Sequence, residues 1–138
     1  MVISEGTAAA EAGVPAWDFL LDSVILIDHL NGIPQATEFL RSVRSRCAVS
    51  VITRAEVLCG FTEDQEQLGL AFLDLFPTLV FDREAADMAG RLRRAWRWKM
   101  PDAIQAALAM THGLRLATRN TRDFPPERHT FVFVPYEL

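Results

Sequence analysis

From Phe19 onward, short apolar runs alternate with longer stretches in which apolar residues recur at helical spacing. Short, mostly apolar runs are typical of strands that are buried on both faces of a parallel sheet. Five such runs are present, enough for one small sheet. We predict strands at Phe19–Leu21, 47–51, 79–81, Arg115–Ala117 and 131–134.

Between these runs, apolar side chains recur every three or four residues, which predicts amphipathic helices. In the stretch 102–112, for example, Ala103, Ala106, Ala107 and Met110 share one helical face. Alternating strands and helices predict an α/β fold, a three-layer α/β/α sandwich with a small, mainly parallel sheet. The helices are predicted at 24–30, 33–43, 53–60, 65–75, 83–98 and 102–112.

The chain length of 138 residues suits one domain, because a second core would be short of apolar residues. The first 16 residues are rich in Ala, Gly, Ser and Glu without periodicity. We therefore predict a flexible tail over residues 1–18 and one folded domain over residues 19–138. We expect a cytoplasmic protein without a membrane span, because no apolar run is long enough and no secretory signal pattern is visible.

The net charge and the placement of the cysteines and histidines disfavour two kinds of protein, one that coats nucleic acid and one that binds zinc. A net charge of −4 disfavours a protein that coats nucleic acid with a broad basic surface, but it allows a nuclease with a local acidic site. Cys47 and Cys59 lie outside any CxxC pattern among apolar neighbours, so we expect buried free thiols. His29, His112 and His129 are too scattered for a zinc site.

Three acidic residues stand where strands end or helices begin, which is where functional groups collect in an open α/β sheet. Asp22 directly follows the first strand, and Asp102 follows Pro101 at the start of the last helix. Glu56 lies in the first turn of a helix predicted to begin near Thr53. Each also has a structural explanation: helix capping for Asp22 and Asp102, and a capping box for the tetrad that ends at Glu56.

A polar loop after the strand Arg115–Ala117 brings Asn120 and Asp123 to the same edge, although turn chemistry explains both residues adequately. Several acids at one edge would repel one another, and a divalent cation would relieve that repulsion. Carboxylate oxygens favour Mg²⁺ or Mn²⁺, which can activate water for attack on a phosphodiester. Phosphodiester hydrolysis is the favoured chemistry, since the motifs of serine hydrolases, P-loop enzymes and dinucleotide enzymes are absent from the sequence.

Four segments, in order and spacing, resemble the motifs of PIN domains, especially those of VapC-type toxins. They are LLDSVILID at 20–28, VSVITRAEVLCG at 49–60, MPDAIQAALA at 100–109 and LATRNTRDF at 116–124. The resemblance implies that Asp22, Glu56 and Asp102 are metal ligands. Many PIN domains carry an aspartate at the place of Asn120, so the fourth ligand is open between Asn120 and Asp123.

The resemblance also implies a function: a Mg²⁺- or Mn²⁺-dependent endoribonuclease that leaves 5′-phosphate and 3′-hydroxyl ends. It implies a homodimeric toxin of a type II toxin–antitoxin system, silenced by a VapB-like antitoxin. Ser23 or Thr118 would hydrogen-bond to a ligand or a phosphate. Four arginines are candidates for RNA or antitoxin contacts, although a solvated helix or loop face also explains each of them: Arg94, Arg97, Arg119 and Arg122.

Two other classes of protein compete with this interpretation. A PIN fold in which Asn120 replaces an acid could be a module that only binds RNA or protein. A phosphotransfer receiver domain also places acids at strand ends, but its pattern requires a lysine after a late strand. Lys99 does not fit that pattern, because it precedes a helix. Outside the motifs, Asp28 is predicted to have a supporting or structural role, while Trp96 and Trp98 either stack on RNA bases or pack internally.

Overall fold

The computed structural model describes residues 17–138, so the greater part of the predicted tail, residues 1–16, lies outside the described chain. The strands are β1 (Phe19–Leu21), β2 (Cys47–Ser50), β3 (Thr78–Leu79), β4 (Arg115–Ala117) and β5 (Val132–Phe133). They form one sheet in the order β3-β2-β1-β4-β5, and every neighbouring pair is parallel. The carboxyl ends of the strands therefore face the same edge of the sheet.

Helices connect β1 to β2, β2 to β3 and β3 to β4, whereas a loop joins β4 to β5. The helices are α1 (Ser23–Leu30), α2 (Pro34–Val43), α3 (Val51–Leu58), α4 (Glu66–Leu73), α5 (Arg83–Trp96) and α6 (Met100–Thr111). Short 3₁₀ turns lie at Arg44–Arg46 and Glu63–Gln65. None of these described helices combines the length and apolar character that crossing a membrane requires.

The sheet is covered on both faces, because alternate residues of each strand point to opposite sides. Leu20 of β1 is fully buried in a cluster with residues of α5 and α6. Its neighbours Phe19 and Leu21 are buried on the other side, in a cluster with residues of α1, α2, α3 and α4. This arrangement confirms the predicted α/β class and the three-layer α/β/α sandwich.

The start of α3 differs from the prediction. The side chain of Ser50, not that of Thr53, caps the helix, since its Oγ accepts a hydrogen bond from the Thr53 amide at 3.0 Å. The helix therefore begins at Val51, so the prediction of a capping box from Thr53 to Glu56 was wrong and Glu56 lies in the second turn. The run of β-branched residues around this boundary suits a strand and hides the helix start from a local pattern.

Both ends of the loop between α5 and α6 also differ from the prediction. Helix α5 stops at Trp96 because Arg97 adopts a left-handed conformation with φ of 62°, and its N–H bonds to the carbonyl of Arg93 at 2.8 Å. Helix α6 already begins at Met100, which leaves Asp102 in its first turn. Trp98 was predicted within a helix but lies in the loop, with its ring buried in the core.

The two cysteines have different environments. Cys47 is a buried free thiol, as predicted, and burial raises the pKa of its thiol to about 12. Cys59 is also a free thiol but is exposed. The prediction that it is buried was wrong, because Cys59 is the C-terminal cap of α3, where the chain turns into solvent.

Candidate active site

Asp22 lies at the carboxyl end of β1, where three donors fix its carboxylate. The Ser23 amide donates to Oδ1 at 3.0 Å, which makes Asp22 the N-terminal cap of α1. The Gln105 amide donates to the same oxygen at 3.1 Å. The Thr118 hydroxyl, at the end of β4, donates to Oδ2 at 2.7 Å. Asp22 is only 8% exposed, so its orientation is set by β1, β4 and α6 together.

Gln105 belongs to a buried polar network that the sequence analysis did not find. Its amide also donates to Thr53 Oγ1 at 2.7 Å, and its carbonyl oxygen accepts from Ser50 Oγ at 2.5 Å. The Thr53 hydroxyl donates in turn to the Leu21 carbonyl at 3.3 Å. The available signal was one glutamine within an otherwise apolar stretch of α6, because a buried amide must find partners.

Glu56 joins the site through α1. It is exposed on α3, and the Ser23 hydroxyl donates to its Oε1 at 2.8 Å. Ser23 thus contacts Asp22 through its backbone and Glu56 through its side chain. Two predicted ligands that are far apart in sequence are therefore brought to one place by the carboxyl ends of β1 and β2.

Asp102 completes an acidic cluster. Burial first, and then the negative charges of Asp22, Asp123 and Glu56, raise the pKa of its carboxyl to about 6, while Lys99 acts in the opposite direction. A like charge raises a carboxyl pKa only when it lies nearby. Because the charges of Asp22, Asp123 and Glu56 all act on Asp102, the four carboxylates lie close together.

The loop after β4 places Asp123 at this site and uses Asn120 to support it. The Asn120 side-chain amide donates to Asp123 Oδ2 at 3.1 Å, and the Asp123 amide approaches Asn120 Oδ1 at 3.4 Å. The backbone N–H of Asn120 donates to Thr118 Oγ1 at 3.0 Å. The loop is therefore braced by its own side chains, with a carboxylate only at Asp123.

Trp98 anchors the same loop from the other side. Its indole Nε1 donates to the Asp123 carbonyl at 2.8 Å, and its ring packs edge-on against Phe124 with centroids 5.0 Å apart. Trp96 stacks on Trp98 at 5.9 Å and remains 44% exposed. Of the two roles considered for Trp98, internal packing is the one that the geometry displays.

Asp28 lies away from the cluster in a buried ion pair. Arg119 donates to both carboxylate oxygens, at 2.7 and 2.8 Å, and Tyr136 donates its hydroxyl at 2.8 Å. The hydrogen bond from Arg119 is the main reason why the pKa of Asp28 is lowered. Asp28 thus has the structural contacts predicted for it, and the Arg119 guanidinium is engaged in them. By contrast, Arg94, Arg97 and Arg122 are exposed.

The side chains of the acidic cluster are suited in type to a divalent cation. Within residues 17–138, no three His, Cys, Asp or Glu side chains are already arranged as metal ligands. The cluster nevertheless consists of carboxylates alone, which is the donor type that hard divalent cations prefer. Their mutual repulsion, reported by the raised pKa of Asp102, is the electrostatic condition that a bound cation relieves.

The fold is that of a PIN domain. The model of that family matches residues 19–125, and the chain belongs to it. Within the family the chain is of the VapC type. It is 38% identical to Ribonuclease VapC10 of Mycobacterium tuberculosis over 113 residues, covering 77% of this chain and 85% of that protein. Ribonuclease VapC19 of the same organism is 31% identical over 114 residues, covering 77% and 91%.

A solved structure is similar over the same region. It is described as a toxin–antitoxin complex from Klebsiella pneumoniae, with a TM-score of 0.82 and 36% sequence identity. The match covers 88% of this chain and all of that one. The resemblance inferred from the four sequence segments is therefore confirmed at the level of family and fold.

Proposed function

We propose that this protein is a divalent-metal-dependent endoribonuclease that acts as the toxin of a type II toxin–antitoxin pair. The observation that carries the proposal is the acidic cluster: Ser23 bonds to both Asp22 and Glu56, and the charges of Asp22, Glu56 and Asp123 act on Asp102. The names of the VapC10 and VapC19 relatives, both ribonucleases, support RNA as the substrate. We further propose hydrolysis to 5′-phosphate and 3′-hydroxyl ends.

In this proposal Asp22, Glu56 and Asp102 hold Mg²⁺ or Mn²⁺. Asp123 is the better fourth ligand, because Asn120 carries no charge and its amide is engaged with Asp123. The bound ion would lower the pKa of a water for in-line attack and offset charge that develops on the phosphate. This chemistry requires carboxylates that remain deprotonated and fixed in orientation.

The chain's own residues supply that orientation. Thr118 and Gln105 hold the two oxygens of Asp22, so the carboxylate cannot rotate without breaking a buried hydrogen bond. Ser23 holds Glu56, and Trp98 holds the backbone of the loop that carries Asp123. Such positioning makes no bond to the reacting phosphate itself, but it keeps the ligands where they act together.

An antitoxin segment is proposed as the protein partner. Ile27 and Leu30 are 39% and 41% exposed, and they line a surface cavity of about 370 Å³ that Glu56 and Phe61 also line. Exposed apolar side chains next to an acidic site suit a partner that covers the site. The similarity to a chain from a toxin–antitoxin complex supports this. We also propose a homodimer, testable by sedimentation.

The test is cleavage of a mixed single-stranded RNA pool with Mg²⁺ or Mn²⁺, with EDTA as the metal-free control. Asp22→Asn and Asp102→Asn should each lower the rate by about 10²-fold or more while circular dichroism stays unchanged. Asp87→Asn, a matched change of an exposed acid on α5, should cleave normally. End-labelling of the products should detect the 5′-phosphate and 3′-hydroxyl.

Cleavage that persists in EDTA, or in both site variants, would show that the acidic cluster is not the reaction centre. The second candidate is a module that binds RNA without cutting it, favoured by the uncharged Asn120 in the loop beside the cluster. RNA binding by a partner-free protein without any metal-dependent cleavage would decide for that candidate.

A further inference from the structure

The C-terminal half of α5 carries a basic face. Arg93 and Arg94 lie three and four residues after Gly90, and the C-terminal cap Arg97 lies four and three residues after them, so all four reach the same side of the helix end. They line a surface cavity of about 380 Å³, hereafter the arginine cavity. A Cβ at Gly90 would meet no atom within 4 Å, so the surface is open at the glycine.

These arginines are not balanced by acids in the described chain. The ion pairs within residues 17–138 join Arg46 to Asp18, Arg54 to Asp74 and Arg119 to Asp28, and none of them involves the arginine cavity. The helix dipole favours cations at this end. Like charges three and four residues apart oppose that gain by similar amounts. The cluster is therefore a natural place for an external anion.

Only the loop 97–99 separates α5, which carries the arginine cavity, from α6, which carries Asp102. Arg97 precedes Asp102 by five residues, and five fully extended residues span at most about 18 Å. The connection is also fixed by hydrogen bonds: Arg93 donates to the Trp98 carbonyl at 2.7 Å, and Trp98 donates to the Asp123 carbonyl at 2.8 Å. An anion held by α5 would therefore stand at a defined position relative to the carboxylates.

We infer that the arginine cavity binds a backbone phosphate of the RNA substrate, close to the position where the acidic cluster acts. This inference rests on the proposed function and extends it to the substrate path. An RNA strand that approaches four carboxylates needs compensating cations, and the net charge of −4 means that they must be local. Arginine forks suit phosphate, because they can donate two parallel hydrogen bonds.

The lining also favours RNA over an acidic protein segment. Only glycine and arginine line the arginine cavity, so it offers no apolar wall to side chains of a peptide. The apolar cavity beside Glu56 is a separate surface with its own lining. A sugar–phosphate backbone requires charge and donors alone, which is what the arginine cavity provides.

The experiment compares two double variants with the same change of charge. Arg94→Gln with Arg97→Gln removes two cations of the arginine cavity. Arg41→Gln with Arg44→Gln removes two exposed cations of α2 and of the turn before β2, at the amino edge of the sheet. Both are made in an Asp102→Asn background, so that a labelled single-stranded RNA is not cut. RNA affinity is measured against salt concentration by fluorescence anisotropy.

For one lost phosphate contact, the slope of log affinity against log salt should fall in magnitude by about 0.7 in the α5 variant, with no change in the control. An unchanged slope in the α5 variant, or an equal fall in both variants, would overturn the inference. In the cleaving protein, the α5 variant should raise KM and leave kcat unaltered. If metal-dependent cleavage occurs with an unchanged KM, only the inference that the arginine cavity binds phosphate is refuted. If no cleavage occurs but the two variants still differ in slope, only the proposed nuclease activity is refuted.

Discussion

Replacement of Gln105 by Met tests how the buried polar network is held together. The substitution keeps the length of the side chain but removes its amide and carbonyl groups. Three hydrogen bonds disappear: one to the Asp22 carboxylate, one to the Thr53 hydroxyl and one from the Ser50 hydroxyl. Gln105 is 2% exposed, so water cannot replace these bonds without entering the core.

The expected loss follows from the three partners. The bond to the charged Asp22 is worth about 1.5–3 kcal/mol, and a buried Ser50 hydroxyl without an acceptor costs about 1–3 kcal/mol. Thr53 keeps its bond to the Leu21 carbonyl, so its share is smaller. Burial of a more apolar side chain returns about 1 kcal/mol. We expect the free energy of unfolding to fall by about 2–5 kcal/mol.

The assay is urea unfolding at neutral pH, followed by circular dichroism for the wild type and the variant. Gln67→Met is the matched control, because Gln67 is exposed on α4 and its replacement should change the free energy of unfolding by no more than about 0.5 kcal/mol. A loss for Gln105→Met no larger than that of the control would refute the reasoning. It would mean that the network contributes nothing net once its desolvation is included.

Three further changes test other parts of the fold. Gly90→Ala should raise the unfolding free energy by about 0.5–1 kcal/mol, because a Cβ there meets open space. Gly69→Ala should lower it by about 1–3 kcal/mol, since the new Cβ would lie 2.5 Å from the ring of Phe61. Thermal melting compares the two variants, and equal shifts would contradict the geometry. Asp28→Asn should cost about 2 kcal/mol at neutral pH by weakening the pair with Arg119. The hydrogen bond from Arg119 holds the folded-state pKa of Asp28 below its ordinary 3.8, so this contribution is present above about pH 4 and is lost as the pH falls through the lowered pKa. Urea unfolding between about pH 7 and pH 2 should therefore show a weaker acid dependence in Asp28→Asn, and parallel curves would contradict the pairing.

The sequence by itself determined the class of fold and the identity of the acidic residues. Buried parallel strands produce short apolar runs, and helices produce a spacing of three or four residues, so both periods are local properties of the chain. Asp22 and Asp102 are predictable for the same reason, because each stands next to an element boundary that the pattern marks. The four motif segments placed the chain in the PIN family, which the family model confirms.

The resemblance already implied hydrogen bonds from Ser23 or Thr118, which the structure shows to Glu56 and Asp22, but only the tertiary structure revealed the partners of Gln105 and Arg119. Gln105 and Asp22 are 83 positions apart, and Arg119 and Asp28 are 91 positions apart, so no local pattern could pair them. The start of α3 at Val51 also depended on a competition between two hydroxyl residues, Ser50 and Thr53, that propensity does not resolve. Periodicity reports which face of an element is buried, but hydrogen-bond partners depend on how elements meet across the sheet, which is set only when the whole core packs.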